Sequence, residues 1–246
     1  MSRSNSEVRL TSPATKFIEW NSEKGQFKYW DKVNKVNVDL PLPVRFYVLD
    51  ELATIKGFND KSQSGIFSNE IKSTTKQTLK VMTKGKDNKV TTIAEGLYAD
   101  IKDLITAAGG KYTRSLYVAM LNDEDEYEIV NFQLKGAAFS GWMDFVQNTK
   151  TFMSDEVYCD DFKKEKKGAT KYTVPVFGSE TASEEGNAAA MDLDVQLQDY
   201  LREYFIQNAE KDVAGDTADN ANGTKSGLPK SFAGQDDVDA EDAPFK

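Results

Sequence analysis

The chain contains no histidine. Without an imidazole there is no Ser-His or Cys-His nucleophile, no histidine metal ligand and no ordinary side-chain base titrating near neutral pH. The lone Cys159 excludes an intrachain disulfide framework and fits a reducing compartment. No apolar run approaches the ~18 residues of a spanning helix, and the polar start MSRSNSEVRLTS lacks the apolar stretch of a signal peptide. These absences lead us to expect a cytoplasmic protein without a membrane segment. Spaced motifs are missing too, with no P-loop, no GxGxxG and no zinc spacing. Carboxylate pairs such as Asp155-Glu156 and Asp160-Asp161 could serve magnesium or acid-base work. As short charge runs they read better as solvated loops. We therefore expect no enzyme, no metal and no cofactor.

What is present is charge, unevenly spread. The sequence holds 31 Lys+Arg against 40 Asp+Glu, net −9, which taken whole argues against a nucleic-acid binder. From Val176 onward there are 16 acidic and 5 basic residues, which leaves 24 acidic and 26 basic in residues 1–175. A nearly neutral body thus carries an anionic tail. Within the body, residues 56–118 hold 11 basic against 6 acidic residues, whereas Asp123, Glu124, Asp125, Glu126 and Glu128 cluster together. One face can be basic while the total stays acidic, and a phosphate backbone feels the local field.

The apolar pattern is mostly that of strands. KFIEW (16–20) and GQFKYWD (25–31), separated by NSEK, read as a hairpin. Val36–Leu49 continues as extended chain with Pro41 and Pro43 at an edge. Ile66–Lys72 and Thr78–Thr83 are further strands, followed by the turn 84–88. Leu97, Ile101, Leu104, Ile105 and Ala108 then mark a helix stopped by Gly109-Gly110. Strands 115–121 and 127–135 follow, then a short helix 137–147. Strands around Val157 and at 172–177 flank the lysine run 163–167. We expect a mainly β domain over 1–178, an OB-fold barrel of five strands with extra strands and helices. Residues 179–190 read as a linker, and 191–208 as an amphipathic helix that packs back or self-associates. Residues 209–246 should form a disordered acidic tail.

Non-specific strand binding needs cations along a groove and exposed aromatic faces on which bases stack. Trp20, Tyr29, Trp30, Tyr112 and Tyr117 sit in polar surroundings near Lys28, Lys32 and Arg114, and are the candidate stacking platforms and cations. Lys72, Lys76, Lys80, Lys84 and Lys86 form a further candidate basic track. Phe17, Phe27, Phe46 and Phe132 are read as core, the usual place of an aromatic in a strand.

The segments FIEWNSEKGQFKYWDK, LPLPVRFYVLDELATIKGFND, SGIFSNEIKST, EGLYADIKDLI, GGKYTRSLYVAML and VNFQLKGAAFSGWMDF resemble those of single-stranded DNA-binding proteins of tailed bacteriophages. The resemblance runs from about Phe17 to Phe177. It implies an OB-fold, sequence-independent binding of single-stranded DNA in phage replication or recombination, no catalysis, and location in an infected bacterial host cell. It further implies an acidic tail that docks phage or host replication proteins. On this chain that tail would be Asp236, Asp237, Asp239, Glu241, Asp242 and Phe245. Bacterial tails of this kind end on phenylalanine; here Lys246 follows Phe245. A phage structural or interaction protein is the alternative, and a carboxylate-dependent nuclease stands third.

Overall fold

The computed structural model describes residues 10–85 and 89–216, with side chains described as far as residue 209. The chain is mainly β. Strands β1 (Phe17–Asn21), β2 (Gln26–Asp31) and β3 (Val36–Leu40) form a meander whose turns are built by short polar side chains. Asn21 Oδ1 accepts the amides of Glu23 and Lys24, and Asp31 Oδ1 those of Val33 and Asn34. These are local side-chain turns that compete successfully with further strand.

The 16-residue β4 (Val44–Asn59) leads into an excursion of β5 (Ser64–Ser68), β6 (Leu79–Lys84), β7 (Val90–Gly96) and α1 (Tyr98–Ala108). The chain then returns as β8 (Gly110–Leu121) and β9 (Tyr127–Lys135). Helix α2 (Ala137–Asn148), β10 (Asp155–Lys167), β11 (Thr170–Thr181) and α3 (Glu184–Asp216) complete the fold. The strands join in one open eleven-stranded sheet with the path β3-β2-β1-β9-β8-β4-β5-β6-β7; β10 branches from β4 and carries β11. All pairings are antiparallel except β1 with β9.

Three apolar clusters hold this sheet. Between β1, β4, β8, β9, β10 and α2 lie Phe27, Phe46, Phe132 and Trp142, all nearly without exposure. Trp142 also donates its indole N–H to Glu51 Oε1 at 2.7 Å, so its polar edge is satisfied. On the opposite face α3 lays Leu197 and Leu201 over Tyr47, Leu49, Leu52 and Tyr117. The third cluster, around Ile55, Leu79, Val81 and Ile105, closes the excursion beneath α1. Phe27, Phe46 and Phe132 are core as expected, and Phe17 packs, partly exposed, against the α3 cluster.

Two boundaries differ from expectation. Residues 179–190 are not a linker: 179–181 finish β11 and α3 begins at Glu184. The cause is a cap. Ser183 Oγ accepts the Gly186 amide at 3.0 Å, and Glu184 and Glu185 sit in the positive first turn of the helix. Small residues there suggested flexibility, yet alanine and glutamate favour helix once a cap starts it. The helix also continues past residue 208, to Asp216. The rest of the tail, Asp236–Lys246 included, lies outside the described residues, as does Lys86.

Candidate nucleic-acid interface

Strands β10 and β11 pair all the way to their tip, with Lys167 opposite Thr170. Gly168 at φ 60° occupies the first central position of the two-residue turn, where a left-handed backbone is required. The resulting ribbon runs past the last buried pair and overhangs the ends of β4, β8 and β9. Between them lies a cleft of ≈1030 Å³.

Lys56 on β4 and Lys111 on β8 line this cleft and are direct cross-strand partners, so their ammonium groups share one face. Like charges so placed destabilise a sheet. Neither has an ion-pair partner among the described residues. Burial pushes the half-buried Lys56 amine below the ordinary lysine range, and Lys135 acts in the same direction, against the pull of Glu70 and Glu19. Lys135, at the end of β9, also lines the cleft, with its Nζ 3.0 Å from Glu19 Oε1. Lys167 comes from the ribbon, and Asp60 and Glu165 are the carboxylates of the lining.

Flat groups alternate with these charges. Phe58 is 50% exposed, Tyr172 donates its hydroxyl to Glu165 (2.8 Å), and Trp20 borders the cleft from β1. The neck where the excursion leaves and returns is made of glycine for steric reasons. A Cβ on Gly57 would lie 2.3 Å from the Gly109 carbonyl oxygen, and Gly109 itself is left-handed, closing α1. At the far wall α2 starts at Gly136 without a side-chain cap, so its first amides face this region with their partial positive charge. The arrangement suits an extended polyanion with planar groups, and it presents no paired nucleophile and base.

Of the expected contacts, Trp20 alone lines the cleft, and it is only partly free. Its indole N–H donates to Thr173 O at 2.9 Å and its ring meets Phe27 edge-on at 4.8 Å. Lys28 and Trp30 share the outward face of β2, opposite Asp39 and Asn37 of β3; Trp30 is 53% exposed. Tyr29 turns inward, half-buried against the first cluster beneath Lys16. Lys32 stands over the Phe17 ring. Lys72 pairs with Asp50 (3.3 Å) and Lys80 with Glu95 (3.0 Å), while Lys76 and Lys84 are exposed elsewhere on the excursion. The expected lysine series is therefore no continuous track.

Three assignments are corrected outright. Tyr117 is a core residue, 1% exposed, with its hydroxyl donated to Glu70 Oε2 at 2.9 Å. Burial and the Glu70 carboxylate raise its pKa well above the ordinary tyrosine value. Tyr112 is half-buried between Tyr98 and Phe139, both 5.2 Å away edge to face, and burial raises its pKa too. Arg114 is held in the sheet near Glu51, with its Nε buried and without a hydrogen bond. The partners that bury these tyrosines are distant in the chain, Tyr98 and Phe139 for Tyr112 and Glu70 for Tyr117.

Glu70 organises a second polar cluster further along the same strands, near enough for its carboxylate to act on Lys56. It also accepts the Ser115 hydroxyl, which in turn accepts Asn131 Nδ2 at 2.7 Å. The Glu70 amide donates to the Tyr204 hydroxyl of α3 at 2.7 Å. The Glu70 carboxylate in this cluster has neutral donors, while Asn131 Oδ1 is buried without a hydrogen bond.

Lys56, Phe58, Lys111, Lys135, Lys167 and Tyr172 were missed by sequence reasoning, which weighed aromatic and basic residues by their neighbours in the chain. The signal that could have found them is the pair of lysines at the two ends of the 57–110 excursion, together with the tip lysines 163–167. Among the described residues no group of histidine, cysteine or carboxylate side chains could hold a metal ion. No described helix is long and apolar enough to cross a membrane. Compared with family models, curated proteins and solved structures, the chain matches none.

Proposed function

We propose that the protein binds single-stranded DNA without sequence preference, through an OB-fold whose binding groove is the cleft between the ribbon and the β4–β8–β9 ends. The strand succession supports this reading. Strands β9, β8, β4, β10 and β11 are neighbours in that order, with α2 between β9 and β10. That is a five-stranded Greek-key succession with a helix before its fourth strand, and the β1–β2 hairpin fills the remaining side. Thr173 N–H donates to Ser22 O at 2.8 Å across that side. In OB-folds oligonucleotides lie on the second and third strands between the first and the last inter-strand loops. On this chain those parts are β8–β9, the excursion and the ribbon tip, the three walls of the cleft.

The observation that carries the proposal is the facing pair Lys56 and Lys111 beside Trp20, Phe58 and Tyr172. Two cross-strand lysines with no ion-pair partner of their own among the described residues suit a phosphate, and the exposed Phe58 with the half-buried Trp20 and Tyr172 offers bases a sequence-tolerant surface. The protein would act without catalysis, protecting and organising strands in phage DNA replication or recombination. Its acidic end, Asp236 to Phe245, would recruit phage or host replication proteins in the infected cell. Fluorescence anisotropy with oligo(dT) and a matched duplex at two salt concentrations tests the core of this. Single strands should bind more tightly, with a log-log salt slope of roughly −0.7 per phosphate contacted. Equal affinity for both, or a flat salt response, would sink it. Replacing Phe245 with alanine should end capture of replication proteins while leaving strand affinity unchanged.

One observation favours the alternative of an interaction protein. Helix α3 exposes Met191 (64%), Val195 (63%) and Ile206 (49%) along one stripe. A folded chain that ignores all oligonucleotides but self-associates would hand the function to that stripe.

A further inference from the structure

We infer that the ribbon has a second, outward-facing anion track, and that a strand leaving the cleft folds over the tip and continues along it. The inference rests on the strand-binding reading of the cleft and extends its footprint.

The argument starts from the pleat. Successive residues of a strand point to opposite faces, and directly paired residues point to the same one. Glu165, Lys167, Thr170 and Tyr172 line the cleft. Lys164 with its partner Thr173, and Lys166 with its partner Lys171, therefore face away. These residues, with Ser22 and Glu23 of the β1–β2 turn and the edges of Glu165 and Tyr172, border a second groove of ≈350 Å³ in which three lysines meet two carboxylates.

Lys166 and Lys171 repeat the feature found at Lys56 and Lys111, two ammonium groups directly opposite each other. Lys164 lies two residues along on the same face. Among the described residues none of the three has an ion-pair partner, and all are exposed. A two-stranded ribbon without a covering layer is marginal by itself, and a like-charge pair beside its turn weakens it further. Residues 163–167 are nonetheless paired one for one with 170–174, and 163–171 are all exposed. Polyphosphate lying on both faces of the tip removes the repulsion on each. The tip is one two-residue turn wide, so a flexible single strand can round it, whereas a stiff duplex cannot.

The test compares oligo(dT) lengths on the full chain. Lys164→Ala/Lys166→Ala/Lys171→Ala is set against Lys56→Ala/Lys111→Ala, with oligomers of about 6 and about 25 nucleotides, within and beyond the usual reach of one OB-fold. The outer-face variant should bind the short oligomer as the intact protein does and the long one more weakly. Its salt slope on the long oligomer should be shallower by roughly 2, so that going from about 50 to about 200 mM salt costs the intact protein roughly 20-fold more affinity than the variant. The matching Lys→Arg variant should restore long-oligomer binding, which separates charge from folding of the ribbon. Equal loss on both lengths, or none on either, overturns the outer track. Loss confined to duplex would overturn it in favour of a duplex-docking ribbon. If instead the Lys56/Lys111 variant binds the short oligomer like the intact protein, the cleft reading itself fails, and the outer track with it.

Discussion

Two polar clusters along the β4–β8–β9 strands handle their groups in opposite ways. Beneath α3, Glu70 gathers the hydroxyls of Ser115 and Tyr117 and its amide meets Tyr204, so the carboxylate and these hydroxyls are answered within the chain, Asn131 Oδ1 apart. At the cleft, Lys56 and Lys111 are direct cross-strand partners, and neither has an ion-pair partner among the described residues. The same strands thus carry one cluster whose charge is answered by folding and one whose lysines are left without ion-pair partners among the described residues. Polar residues in a sheet say little about function until their partners are counted, and it is the unanswered like charges that point to a ligand.

The sharpest break of this contrast is Glu70→Ala. It leaves the Ser115 and Tyr117 hydroxyls buried without their acceptor, which should cost roughly 2–4 kcal/mol of stability. Strand affinity should stay the same or tighten slightly, since an anion near Lys56 is removed. Urea unfolding and anisotropy on the same samples check both halves, and a large affinity loss in folded protein would merge the two clusters into one site.

Lys56→Ala/Lys111→Ala should do the reverse. Charged hydrogen bonds are worth about 1.5–3 kcal/mol each, so about tenfold or more in affinity should go with each lysine. The thermal midpoint should hold or rise as repulsion is relieved. A falling midpoint with unchanged affinity would make both lysines structural.

The aromatic counterpart pairs Phe58 with Tyr117. Phe58→Ala should weaken strand binding by roughly 1–3 kcal/mol with little change in melting, as expected of an exposed stacking ring. Tyr117→Phe should lower stability by about 1 kcal/mol and leave binding alone. Exchange of these outcomes would reverse the assignment.

A smaller effect concerns pH. Lys56 titrates below an ordinary lysine, so its charge, full at lower pH, is lost as pH rises. Affinity should therefore decline below the ordinary lysine range, and Lys56→Arg should abolish that decline. Because the folded value lies below the unfolded one, Lys56 opposes folding at low pH, and that penalty fades over the same window. Titration of affinity against pH for both proteins decides it.

Much of the fold was legible because it is local. The β1–β2 hairpin, helix α1 with its Gly109 stop, β8, β9 and α2 all follow from period and turn chemistry in adjacent residues. Strand β7 escaped because Val90, Thr91 and Thr92 are all exposed and give no buried alternation. The α3 start escaped because a single Ser183 cap outweighed a flexible-looking composition. The site was the least legible part. Lys56 and Lys111 meet only because β4 and β8 pair across the excursion, and Tyr117 looked free until Glu70 was folded over it.

The glycine neck has a consequence for how such a chain can change. Gly57 stands directly opposite Gly110, so residues 58–109 leave the sheet and rejoin it one cross-strand step apart. Such a junction accepts other segments provided they keep the β5 pairing on β4 and the bridge from Ile71 to Ala53, which makes the excursion an exchangeable cassette. Because it supplies Phe58 and Asp60 to the cleft lip, swapping it would retune the groove while the lysine floor stayed in place. The exchange carries one further condition. Any replacement must bring a carboxylate to the place of Glu70, or the sheet beneath α3 loses the acceptor that Ser115 and Tyr117 are built to meet.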